Sequence, residues 1–137
     1  RRDVGNLFGS YSIPYHYAKG LSIGLGLRGQ SGIPINKLAS HPVYANTGEI
    51  PLGSRGIAGT EPSTYQLDMH TDYGHSLGER LRLKVAFDTF NVTNSKFVLN
   101  KNQYVDTGFL QGADPTFLTP TKIQRPFNAR GSIRIEF

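Results

Sequence analysis

Asn128-Ala129-Arg130-Gly131-Ser132-Ile133-Arg134-Ile135-Glu136-Phe137, the last ten residues, set the expectation for the fold. Ala129, Gly131, Ile133, Ile135 and Phe137 fall on one side of an extended chain; Asn128, Arg130, Ser132, Arg134 and Glu136 fall on the other. Strand side chains alternate with period two, so this is a strand with one apolar and one charged face. It closes on an aromatic residue, where an edge strand standing in water is better protected by polar ones.

The same alternation recurs upstream. Leu81, Leu83, Val85 and Phe87 oppose Arg80, Arg82, Lys84, Ala86 and Asp88. Tyr65, Leu67, Met69, Thr71 and Tyr73 oppose Gln66, Asp68, His70 and Asp72. Leu21, Ile23, Leu25 and Leu27 oppose Ser22, Gly24, Gly26, Arg28 and Gln30. A first strand runs from Leu7 to Tyr15, with Phe8 breaking its alternation. Between these strands, His16–Gly20 and Gly74–Glu79 are short connections. Ser31–Ser63 and Asn91–Pro126 are long, without sustained period, and punctuated by Gly and Pro, so they are expected as loops.

The expected class is all-β, with antiparallel up-and-down strands over a single unit, residues 1–137. Structureless loops longer than about 15 residues are uncommon in compact domains. A transmembrane β-barrel, however, has short turns on one side and long loops on the other. The short–long–short–long order fits the C-terminal portion of such a barrel. The C-terminus and short turns would be periplasmic, and the two long loops extracellular. The lipid-facing set is then Leu21, Ile23, Leu25, Leu27, Leu67, Met69, Leu81, Leu83, Val85, Phe87, Ile133 and Ile135. The lumen-facing set is Arg28, Asp68, Asp72, Arg82, Lys84, Asp88, Arg130 and Arg134. A Lys or Arg on the lipid face at mid-membrane costs about 2–4 kcal/mol, and the four clearest strands place none there. Tyr15, Tyr73 and Phe137 are expected near the periplasmic interface, Tyr65 and Phe127 near the outer one. The second hairpin is expected to set Asp72 against Arg80 or Arg82.

Composition agrees with thin strands. Of 137 residues 37% are hydrophobic, which is low for a dense core. No run approaches the roughly 18 apolar residues of a membrane helix. The net charge is +5, but the basic residues are dispersed, so no nucleic-acid partner is expected. Without cysteine there is no disulfide framework. The start at Arg1, with neither Met nor signal peptide, is read as that of a processed or partial chain.

No motif carries bond chemistry, so no catalytic residue, cofactor or metal is expected. Gly24-x-Gly26-x-x-Gly29 matches a dinucleotide fingerprint in letters, but Ser31-Gly32-Ile33-Pro34 follows where a helix is required. His70, Asp72 and His75 lack a further ligand at metal-site spacing. Asp68, Asp72, Asp88 and Glu136 interleave with arginines, as on any polar barrel wall, rather than forming a glycosidase pair in a cleft. Asn91-Val92-Thr93 is a glycosylation triplet by letter only. Tyr44, Arg55, Tyr104, Phe109 and Phe117 are candidate surface contacts in the loops, with packing of the loops on themselves as the alternative.

Several pieces together resemble TonB-dependent outer-membrane receptors, more narrowly the type with an N-terminal carboxypeptidase-regulatory-like domain. These are Gln30-Ser31-Gly32-Ile33-Pro34, Gly53-Ser54-Arg55-Gly56 before Pro62, and Tyr65-Gln66-Leu67-Asp68. Phe87-Asp88-Thr89-Phe90-Asn91-Val92-Thr93-Asn94 resembles that family's Asp-x-Phe-Asn-x-Phe-Asn element, with Thr93 where an aromatic is usual, and Arg125-Pro126 leads into the last strand. The resemblance implies uptake of a scarce solute through a plugged barrel of roughly 22 strands in the bacterial outer membrane. It also implies partners: outer-membrane lipid, the remaining barrel and plug upstream, and TonB through a region not contained in this chain. Ile133, Ile135 and Phe137 would serve as the insertion signal read by the barrel-assembly machinery. The alternatives are a passive porin-like barrel and a soluble β-sandwich binding module. The sandwich requires the Leu21–Leu27 and Leu81–Phe87 faces to meet in a dry core.

Overall fold

The structure is a computed structural model that describes residues 3–14 and 19–137. Its strands are β1 (Val4–Ser12), β2 (Leu21–Gln30), β3 (Leu38–Ala39), β4 (Ile50–Pro51), β5 (Thr64–Ser76), β6 (Arg82–Phe90), β7 (Val98–Lys101), β8 (Pro120–Ile123) and β9 (Asn128–Glu136). There is no helix among the described residues, so none is long and apolar enough to cross a membrane. The long strands form one five-stranded sheet in the order β1-β2-β5-β6-β9, and β3-β4 and β7-β8 form two small sheets. The fold is all-β with antiparallel pairing. By compactness the chain divides in two. One unit holds the long strands (5–29, 65–95 and 125–137), the other the long connections (30–64 and 96–124, with Asp3 and Val4).

Across β5, β6 and β9 the register runs without a shift. β5 meets β6 with Thr71 opposite Phe87, Tyr73 opposite Val85 and His75 opposite Leu83. β6 meets β9 with Leu83 opposite Ile135, Val85 opposite Ile133 and Phe87 opposite Gly131. Directly opposed residues share a face. Leu83, Val85, Phe87, Ile133 and Ile135 therefore make one apolar surface, continued on β5 by Leu67 and Met69. The surface is uncovered: Ile133 is 73% exposed and Phe87 47%.

Several expectations are corrected. The first strand begins earlier and ends sooner than Leu7–Tyr15; Tyr15 and the 16–18 part of the first connection lie outside the described residues. Gly74 is a strand residue rather than the start of a turn, and β5 continues to Ser76 opposite Arg82. The turn is 77–81, closed by the Leu77 N–H donating to the Leu81 carbonyl at 2.7 Å. Leu81 accordingly sits just outside β6. Asp72 lies opposite Ala86, not opposite Arg80 or Arg82, because the longer strand shifts the pairing. Tyr73 is level with Val85 and Ile133. Phe137, further along β9, therefore stands about 13 Å beyond that level.

The loops are not structureless. Leu38 and Tyr104 form a parallel bridge, flanked by Leu38 N–H to Gln103 O and Val105 N–H to Leu38 O, both 2.9 Å. The Asn36 N–H donates to Gln103 Oε1 at 2.9 Å. Ser40 donates from its hydroxyl to Asp106 Oδ1 at 2.5 Å and from its N–H to both Asp106 oxygens. Ile35, in this unit, is the one buried apolar side chain among the described residues. Gly48 has φ +76°, and a Cβ there would fall 2.2 Å from the Tyr104 ring, so Tyr104 packs one loop on the other. The hydroxyl of Thr116, its backbone N–H and the Asn102 amide all donate to Asp114 and hold its carboxyl below the usual range.

One buried residue, just past the end of β6, is bonded to β5 and to the approach to β9. Asn91, with φ +53°, is 2% exposed. Its N–H donates to Asp68 Oδ1 at 2.9 Å. Its Nδ2 donates to the carbonyls of Arg125 (2.8 Å) and Ser95 (2.9 Å). Its Oδ1 accepts the Ser95 N–H at 3.0 Å. Asn94, φ +49°, accepts the Phe127 N–H on Oδ1 at 3.1 Å. Asn tolerates the left-handed region better than other non-glycine residues. Asn91→Ala is expected to lower stability by about 2–4 kcal/mol, through buried partners left unpaired and a strained φ. Thermal unfolding followed on gels checks this; a loss below about 0.5 kcal/mol would contradict it.

Candidate functional site on the charged face

The face opposite the apolar surface carries the sheet's charges because the even positions of β5, β6 and β9 align. His70 is opposite Asp88, and Asp88 is opposite Arg130; Lys84 is opposite Arg134, and Arg82 opposite Glu136. A ladder results. His70 Nδ1 lies 2.5 Å from Asp88 Oδ1, and His70 Nε2 lies 3.5 Å from Asp72 Oδ2. Arg130 reaches the other oxygen of Asp88 with Nη2 at 2.7 Å and Nε at 3.1 Å. Lys84 Nζ donates to Glu136 Oε1 at 2.8 Å. Asp68 is engaged by the Gln66 amide (2.9 and 3.0 Å) and the Asn91 N–H. Most of these side chains stay wet: Arg130 is 70% exposed, while Asp88 is 19% exposed.

Of the expected lumen-facing set, Asp68, Asp72, Asp88, Lys84, Arg130, Arg82 and Arg134 thus share one face of three adjacent strands. Arg28, at an even position of β2, has no ion pair among the described residues. The same face carries two hollows. One, about 230 Å³, lies over Ala86 and Ser132, with Asp72, Lys84 and Arg134 around it. The other, about 440 Å³, is walled by Phe8 and Phe90 and floored by Gly24 and Gly26. Its rim includes Asp68, His70 and Asp88.

From the sequence, Phe90 is named only within the Phe87–Asn94 element and is given no place on the charged face. Its even position on β6, opposite Asn128, was the available signal. The loop candidates divide: Arg55 lines a cavity with Asp3, Ser31, Thr60, Glu61 and Ser63, Tyr104 packs on Gly48, and Tyr44 is exposed beside His41. Among the described residues, no group of three or more His, Asp and Glu side chains is arranged to hold a metal ion. No family model matches the chain, and no curated protein or solved structure is significantly similar to it.

Exposed ion pairs contribute about 0.2–1 kcal/mol, whereas breaking a pair in a dry interior costs about 3–5 kcal/mol. A double-mutant cycle on Asp88→Ala and Arg130→Ala in the full-length protein is expected to give the small value. Coupling above about 3 kcal/mol would mean that this face is dry.

Proposed function

We propose that this chain is a section of barrel wall from a TonB-dependent outer-membrane receptor that takes up a scarce solute. The apolar face meets lipid, the charged face lines the lumen, and the long connections are surface loops. The terminal strand carries the assembly signal in Ile133, Ile135 and Phe137. Energy coupling and the plug reside elsewhere in such a receptor, and this section performs no bond chemistry.

The carrying observation is the division of one continuous sheet into a bare apolar face and a wet, internally paired charged face. A contiguous uncovered apolar face, with Ile133 73%, Ile135 58% and Phe87 47% exposed, marks a contact surface. Lipid accounts for it without demanding that the charges on the other face be buried. The sandwich alternative fares worse, since β2 and β6 lie in the same sheet with β5 between them, so their apolar faces do not oppose each other. A passive porin shares the wall geometry and differs in lacking a plug.

The chain has no cysteine, so single substitutions report cleanly. Ser54→Cys in the first long loop and Glu79→Cys in the 77–81 turn are both exposed sites. In cells making the full-length protein, an impermeant maleimide is expected to label position 54 and not position 79 until the outer membrane is breached. Equal labelling in intact cells, or a soluble product, would overturn the membrane assignment.

A further inference from the structure

Among the described residues, Phe8 and Phe90 are the phenylalanines on the otherwise polar face, and they come from strands that are not neighbours. β2 and β5 separate β1 from β6 in the sheet. The two rings nevertheless border one hollow of about 440 Å³, within the range of small-molecule sites. Where β2 lines it, Gly24 and Gly26 offer backbone and no side chain. A Cβ on Gly26 would fall 3.2 Å from the Phe8 ring, so the ring lies over that glycine. Gly24 has only ordinary contacts, the nearest 3.7 Å away at His70 Cβ. Phe8 is 77% exposed, an unfavourable state for an aromatic ring unless something covers it.

The rim is polar but already satisfied. Both oxygens of Asp88 are held, one by His70 and one by Arg130. Asp68 accepts from Gln66 and Asn91. The carboxylates therefore offer little to a cation, and their charge disfavours an anion. A flat, uncharged group that stacks on the rings and approaches the glycine floor is what remains.

We propose that this hollow is a subsite for an uncharged aromatic ring, such as a phenol, carried by the solute. It rests on the assignment of this face to the lumen of an uptake barrel and adds the class of group that the wall contacts.

The test uses 4-azidophenol as a photoreactive probe on outer membranes containing the full-length protein, with adducts mapped by mass spectrometry. Adducts are expected at Phe8, Gly24–Gly26 and Phe90, reduced at least five-fold by excess phenol. Gly24→Val, which adds bulk where the Cβ itself meets only ordinary contacts, is expected to reduce them similarly, as is Phe8→Ala, which removes a wall. Ala86→Val, on the same face outside this hollow, is expected to leave them unchanged. Absence of adducts in the hollow, or adducts indifferent to both Gly24→Val and Phe8→Ala, would overturn the subsite. If that happens while Ser54→Cys and Glu79→Cys label as a spanning barrel requires, only the subsite falls.

Discussion

The Asn91 side chain is the constraint on which the sheet's order depends. Strand pairing alone leaves the final strand able to slip, and a slip of one residue turns every side chain to the other face. Asn91 removes that freedom at the entrance to β9 by donating to the Arg125 carbonyl, while Asn94 accepts from Phe127. It also holds β5 through Asp68. Each hydrogen bond contributes only about 0.5–1.5 kcal/mol net. Several converging on one residue that is 2% exposed, its side chain and its backbone N–H together, make the alternative registers costly.

Everything on the two faces follows from that register. With β9 fixed, Ile133 and Ile135 extend the apolar surface of Val85 and Leu83, and Arg130 lands beside Asp88. The ladder from His70 through Asp88 to Arg130 spans three strands because the pairing is direct, not diagonal. The hollow depends on the neighbouring pairings instead, since its walls and floor come from β1, β2, β5 and β6.

Much of the sheet was legible because alternation is a local signal. β2 and β9 were recognisable to within a residue or so from their leucines and isoleucines. Gly74 misled, because glycine ordinarily weakens strands. Here its N–H donates to the Gly20 carbonyl at 2.9 Å, and Gly20, at φ +96°, leaves no room for a side chain. The loop architecture was hidden because two-residue strands have no period and their partners lie far apart in sequence, as Leu38 and Tyr104 do. On the charged face, the individual residues were legible but their pairing was not. Asp72 fell opposite Ala86 once β5 proved longer. Phe8 stood out as an exception to alternation, yet its convergence with Phe90 required the strand order.

The central claim is that one face of this sheet meets lipid and the other meets water. The most direct measurement is a nitroxide scan of positions 129–136 in the full-length protein in bilayers, with collision rates for oxygen and for a water-soluble nickel complex. The account predicts alternation with period two: oxygen favoured at 131, 133 and 135, nickel favoured at 130, 132 and 134. Uniform access to the nickel complex, or uniform exclusion of both reagents, would contradict it.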